Sequence, residues 1–197
     1  AIFYDNQPFM LREHLERWEY SAQGIMMESP RTLAWREGMI RDLVEQSGLG
    51  TCMAYGQLTR GVARRNHLFP DAATTPPTEF WFVRAAPQHK PELFENGCAL
   101  MSHADERWTH CQYKTISLLP NVLAKERARR VGAYEALLYR EDGTVSECTA
   151  SNAYCVIGGV VYTHPLGPRI LGGITRMAIL RAAREAGIEV REQAVTL

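Results

Sequence analysis

The sequence predicts a mixed α+β fold in two parts, a small N-terminal α/β domain over residues 1–87 and a larger C-terminal α/β domain over 91–197. Apolar residues recur at helical spacing in some segments and alternate as in strands in others, so the chain builds layers of sheet and helix. A short polar stretch bounded by Pro87 and Pro91 separates the two sets of elements. With 197 residues, 46% of them hydrophobic, the chain can bury a real core in one or two domains.

The elements follow in order. Leu11, Leu15, Trp18 and Ala22 line one face of a helix over 11–24. Ser29-Pro30 is read as the start of a second helix, which runs to about Ser47 and stops at Gly48. Thr51–Arg60 alternates as a strand. Glu79–Ala85, with Phe80, Trp81, Phe82 and Val83, reads as a buried strand. Past the linker come a strand over 97–103, a strand-like run over 113–119, a basic amphipathic helix over 121–131 and a strand over 133–139. Asp142-Gly143 is a hairpin turn, followed by strands at 144–149, 152–157 and 160–163, with Gly158-Gly159 turning between the last two. A Pro- and Gly-rich loop over 164–173 leads into a helix over 174–186, ended by Gly187, and a further strand starts at Ile188.

Composition narrows the function. The formal net charge is zero, so neither nucleic acid nor an anionic membrane is the expected partner. No apolar run reaches the ~18 residues of a spanning helix, and no secretory leader is visible. Five cysteines, an odd number with no CxxC pair, read as reduced thiols rather than as a disulfide framework or a metal site. A cytoplasmic location is the expectation.

Nineteen arginines stand against three lysines, few enough to take singly. Lys90 lies in the linker. Lys125 lies among Glu126, Arg127, Arg129 and Arg130 on a helix, which reads as a solvated face. Lys114 differs: read as a strand residue, it shares a face with Ile116 and Leu118, where loss of solvent would lower the pKa of its amine and make it nucleophilic. Strand lysines also commonly snorkel out to water, and that reading stays open. Pro168–Arg176 brings two glycines directly to a helix start, whose free N–H groups and dipole suit a phosphate, with the Thr175 hydroxyl at hand. Simple capping would use the same residues. Glu147 sits among small residues that leave room for a flat ring, and its carboxylate could pair with a pyridine nitrogen. An exposed hairpin glutamate is the alternative. Arg65 and His67, in the loop Arg64-Arg65-Asn66-His67, could bind a carboxylate; a solvated loop is again the plainer reading.

The order of these segments resembles the fold-type IV pyridoxal-phosphate enzymes, and most of all the bacterial D-amino-acid aminotransferases. The stretches that carry the resemblance are His14-Leu15-Glu16-Arg17, Tyr55–Gly61 running into Arg65–Pro70, Tyr113–Leu119 with Asn121–Lys125, Gly132–Ala136, Ser151-Asn152, Tyr162–Pro165 and Gly173–Arg176. The resemblance implies pyridoxal 5′-phosphate bound to Lys114 through a Schiff base, with Glu147 on the pyridine nitrogen and Leu171 against the ring. Arg17, Ile174 and Thr175 would hold the phosphate, and Arg65 and His67 the substrate carboxylate. It further implies a barrel-like sheet in the larger domain, a homodimer, and an amino acid and a 2-oxo acid as substrates. The family also has segments before and after those in this chain, so the ends read as missing. Branched-chain L-amino-acid aminotransferase, (R)-amine aminotransferase and aminodeoxychorismate lyase share the fold and stand as alternatives. A non-catalytic cofactor-binding fragment is the alternative of another class.

Overall fold

The computed structural model describes residues 1–88 and 90–197. The chain divides into two compact units, Ala1–His89 and Lys90–Leu197. Residue 89, within the stretch expected as a linker, lies outside the described residues.

The first unit opens with a hairpin of β1 (Ile2–Tyr4) and β2 (Gln7–Pro8). Asp5 and Asn6 turn it at φ 48° and 62°, the positive pair that a tight hairpin turn requires. Periodicity does not reveal strands this short; the Asp-Asn pair is their sequence signal. Helix α1 (Leu11–Gly24) buries Leu11, Leu15 and Ala22, the stripe expected of it. Helix α2 (Leu33–Ser47) begins later than expected. The hydroxyl of Ser29 meets the guanidinium of Arg36 instead of capping, and Thr32 takes that role, its Oγ1 accepting from the Trp35 N–H at 3.2 Å. Gly48 ends the helix at φ 65°.

Strands β3 (Cys52–Thr59) and β4 (Thr78–Ala85) complete an antiparallel sheet of order β2-β1-β3-β4. Gly56 pairs with Trp81 across the strands. A Cβ at position 56 would lie 2.4 Å from the Trp81 ring, so only glycine lets the indole lie flat there. Trp81 stacks on Trp18 of α1 at 4.7 Å between centroids. With Val83 it packs on a core of Phe3, Leu11, Leu15, Ile40, Val44, Cys52 and Ala54. Strand β4 is therefore not buried on both faces as expected. Phe80 is 58% exposed, and Phe82 lies 5.1 Å from Tyr55 on the face away from this core. Alternation, rather than apolar content, decides which residues of a one-sided sheet are covered.

One arginine holds this unit together. Arg36 on α2 has a fully buried side chain that ion-pairs with Glu19 of α1 and Glu79 of β4. Glu79 also accepts from the Trp81 indole N–H at 3.0 Å. Two helices and a strand thus converge on one guanidinium, whose planar fork can serve several acceptors at once. Removing it strands a buried carboxylate. Arg36→Ala is expected to destabilise the protein by about 3–5 kcal/mol, read from urea denaturation. A loss below about 1 kcal/mol would show that the cluster is a surface-like pair of no consequence.

The second unit begins with α3 (Glu92–Asn96), a single helical turn absent from the sequence reading, and β5 (Leu100–Ala104). The strand starts three residues later than expected because Gly97 at φ 69° ends the helix first. Helix α4 (Leu119–Arg130) crosses from β5 to β6 (Glu135–Tyr139), which pair in parallel. The helix lays Ala124 and Ala128 on Ala136 and Leu138 of β6. A hairpin at Asp142-Gly143 leads to β7 (Val145–Cys148), with the Thr144 N–H bonded to Asp142 Oδ1 at 2.9 Å. A second three-stranded sheet has the order β10-β9-β8, from β8 (Cys155–Ile157), β9 (Val160–Tyr162) and β10 (Val190–Arg191), with α5 (Ile174–Glu185) between β9 and β10. Pairing of Val145 N with Val195 O at 2.8 Å and of Leu197 N with Gly143 O at 3.1 Å carries hydrogen bonding beyond β7. No helix among the described residues is long and apolar enough to cross a membrane.

Candidate active site

The run 113–119 is not a strand. Residues 111–118 form turns and bends that enter α4 at Leu119. Lys114 is exposed, and Ile116 and Leu118 are 77% and 46% exposed rather than sharing a buried face with it. The shared apolar face expected from strand geometry is therefore not formed. Alternation over a few residues does not distinguish a strand from an extended loop until partners supply hydrogen bonds.

What positions Lys114 is the anchoring of its segment. On the N-terminal side, the Cys111 N–H bonds to Pro168 O at 2.8 Å, in the loop that leads to α5. On the C-terminal side, Asn121 in the first turn of α4 donates from Nδ2 to Thr149 O at 2.7 Å, just past β7. The lysine segment is thereby tied at one end to the helix-start loop and at the other to the strand that carries Glu147. Buried Glu135 on β6 holds the turn at Thr149–Ser151 in place. It accepts from Thr149 Oγ1 at 2.8 Å, the Ala150 N–H at 2.5 Å and Ser151 Oγ at 2.9 Å.

Glu147 is buried, which excludes the exposed hairpin alternative. Its Oε1 accepts from Arg107 Nη1 at 2.5 Å, and its Oε2 from Asn152 Nδ2 at 2.8 Å. The Leu171 N–H lies 3.3 and 3.1 Å from the two oxygens. Burial pushes the Glu147 carboxyl above the ordinary glutamate value, against the opposing pull of Arg107 and the Leu171 N–H. Burial alone would lower the Arg107 guanidinium, but Asp105 and Glu147 outweigh it and hold the group firmly charged. Burial likewise pushes Asp105 up, and the hydrogen bond and charge of Arg107, with Ser146 and Arg140, bring it below the usual aspartate range.

Leu171 and Gly173 lead into α5, whose start carries no side-chain cap. The first-turn N–H groups of Ile174 and Thr175 have no intrahelical acceptor. Asn152 joins the two halves of the site: its Nδ2 donates to Glu147 and, at 2.8 Å, to Leu171 O. The close approach demands glycine at 173, where a Cβ would lie 2.1 Å from Asn152 Oδ1. Arg176, left without a role on sequence, is buried and bonds His164 O at 2.9 Å and Glu192 at 3.0 Å. It braces the helix rather than the site.

The remaining sequence candidates lie in the first unit. Arg17 is partly buried on α1, and burial lowers its pKa. Arg65 and His67 lie in an exposed loop, in which Asn66 Oδ1 accepts from the His67 N–H at 2.7 Å. Sequence reasoning missed Asp105, Arg107 and the bonds that Asn152 makes. Asp105 is a near neighbour of Arg107, but Glu147 and Arg169, like the Leu171 carbonyl that Asn152 bonds, are brought up by the fold, and no local spacing signals them.

The residues of the second unit fit a phosphorylated pyridine aldehyde on three counts. Glu147 meets three donors, one of which, the Leu171 N–H, is shared between both oxygens, so the carboxylate could take a ring N–H as a fourth donor. Gly173 leaves α5 uncapped, as a phosphate site requires. Lys114 is an exposed lysine on a segment tied to both.

Comparison with known proteins gives the family. The amino-transferase class IV family matches residues 2–197. The D-alanine aminotransferase of Staphylococcus aureus (strain MSSA476) is 38% identical over 196 residues, which is 98% of this chain and 68% of that protein. That of Bacillus licheniformis is 37% identical, covering 98% of this chain and 67% of its own. Among solved structures, the branched-chain amino acid aminotransferase of Escherichia coli superposes with a TM-score of 0.88 at 25% identity, over 99% of this chain and 67% of that one. The chain belongs to the class IV aminotransferases, a pyridoxal-phosphate-dependent family with the fold-type IV architecture.

Gly173→Ala should force Asn152 off one of its two bonds, since the methyl has no room and the amide is pinned. The expected loss is about 1–3 kcal/mol, measured by thermal unfolding of the cofactor-free protein. An unchanged melting temperature would mean that the 152–173 contact does not constrain the site.

Proposed function

We propose that the protein is a D-amino-acid aminotransferase, moving an amino group from a D-amino acid such as D-alanine to a 2-oxo acid by way of pyridoxal 5′-phosphate. The D-amino-acid part of the reading is supported by the D-alanine aminotransferase relatives, and the observation that carries the cofactor part is the double tie of the Lys114 segment, to Thr149 beyond Glu147 and to Pro168 before α5. It holds an amine, a carboxylate and a helix start in one framework. When bound, the cofactor supplies an electron sink that makes the substrate Cα–H acidic. Lys114 supplies the amine that holds the cofactor, and its Nζ then carries the proton taken from Cα. Glu147 would accept the ring N–H, and Leu171 would lie against the ring. Ile174 and Thr175 offer N–H groups and a hydroxyl to the phosphate.

The roles of Arg17 toward the phosphate, and of Arg65 and His67 toward the substrate carboxylate, rest on the resemblance and on the D-alanine aminotransferase relatives. A homodimer and a cytoplasmic location belong to the same reading. The likeness to the E. coli branched-chain enzyme supports a second reading, transamination of branched-chain L-amino acids.

An absorbance spectrum with pyridoxal 5′-phosphate separates these. A visible band that forms in the native protein, is absent in Lys114→Ala and bleaches with D-alanine is the expected result. Bleaching with L-leucine alone would transfer the assignment to the branched-chain reaction, and the lack of any Lys114-dependent band would sink both. Arg65→Ala is expected to raise the KM for D-alanine tenfold or more, roughly the worth of a charge-assisted hydrogen bond. Unchanged kinetics would remove Arg65 from the carboxylate site.

A further inference from the structure

We infer that Asp105 and Arg107 are positioning residues for Glu147: Asp105 holds Arg107 so that it gives the Glu147 carboxylate one N–H rather than two. The inference rests on the reading that Glu147 faces a cofactor ring nitrogen, and assigns the two residues that make it fit to do so.

Arg107 is 6% exposed and Asp105 not at all. Asp105 takes the guanidinium by its fork, Arg107 Nε donating to Oδ1 and Nη2 to Oδ2, both at 2.9 Å. The Arg107 backbone N–H adds a bond to Oδ1 at 3.2 Å. Nη2 also reaches Arg169 O at 3.1 Å, and Ser146 Oγ lies 3.4 Å away. Only Nη1 then remains for Glu147. Asp105 is itself held by Ser146 Oγ at 2.7 Å and faces Arg140 Nε at 3.3 Å. Ser146 precedes Glu147 on β7, so the brace and the carboxylate it serves share one strand.

The alternative geometry explains the need for Asp105. An arginine and a carboxylate left to themselves pair fork to fork, two N–H groups on two oxygens. Such a pair would occupy both sides of Glu147 and neutralise it, leaving a poor partner for a protonated ring. Asp105 occupies the fork first. A buried cluster of this kind is also costly to desolvate, and apolar residues in its place are often as stable. Its position around the one carboxylate that the site requires points to function.

The test uses the holoprotein reconstituted with pyridoxal 5′-phosphate labelled with 15N in the ring. In the native protein the 15N shift should report a protonated nitrogen. Asp105→Asn should move it toward the unprotonated value and lower kcat by about tenfold to a hundredfold, the range of one charged hydrogen bond, with KM changed by less than about twofold. Ser146→Ala, which keeps every charge, should move the shift the same way by a smaller amount. A folded Asp105→Asn protein with native shift and kcat overturns the inference and leaves the role of Glu147 intact. If Asp105→Asn does not fold, an unmoved shift in Ser146→Ala overturns it. An unprotonated nitrogen in the native protein, or a native shift in Glu147→Gln, overturns instead the reading on which the inference stands.

Discussion

Glu147 is buried on β7, and a carboxylate taken out of water has to be met by donors from wherever the chain can supply them. Here they come from three places: Arg107 after β5, Asn152 after β7, and the Leu171 N–H before α5. The second unit is organised by that demand. Satisfying one side chain fixes the loop after β5, the turn after β7 and the entry to α5 relative to one another. Asn152 tightens the arrangement by bonding Leu171 O as well, at a separation that only glycine at 173 permits.

The first unit solves the converse problem, a buried cation. Arg36 is met by Glu19 and Glu79, and the same cluster fixes α1, α2 and β4. The two centres differ in what they leave over. Around Arg36 two carboxylates share one guanidinium, and a tryptophan indole completes Glu79. Around Glu147 three donors meet two oxygens, the Leu171 N–H being shared between both, and a ring N–H would come as the fourth donor.

Much of this was legible in the residues. The stripe of α1, the stop of α2 at Gly48, the Asp142-Gly143 hairpin and the uncapped start of α5 at Ile174 are local effects of side-chain period, φ preference and capping, and they stand where expected. Two of the misreadings share one cause. Residues 113–119 have the apolar content of a strand but no partner strand, and β4 has the content of a buried strand but only one covered face. Composition shows which residues can be buried and says nothing of what covers them. The hairpin β1–β2 escaped because strands of three and two residues are too short to show a period.

The candidate site divides the same way. The sequence by itself determined the chemical groups: an isolated lysine, a glutamate among small residues, two glycines at a helix start, and the order of motifs that marks the family. These depend on residue identity and near-neighbour spacing. The tertiary structure decided what each group is held by. Lys114 owes its place to Cys111 and Asn121 bonding to Pro168 and Thr149, and Glu147 owes its charge environment to an arginine forty residues earlier in the chain, itself gripped by Asp105. Apart from the Asp105–Arg107 contact between near neighbours, these hydrogen bonds span long separations and exist only once the chain has folded, and so no reading of local sequence contains them.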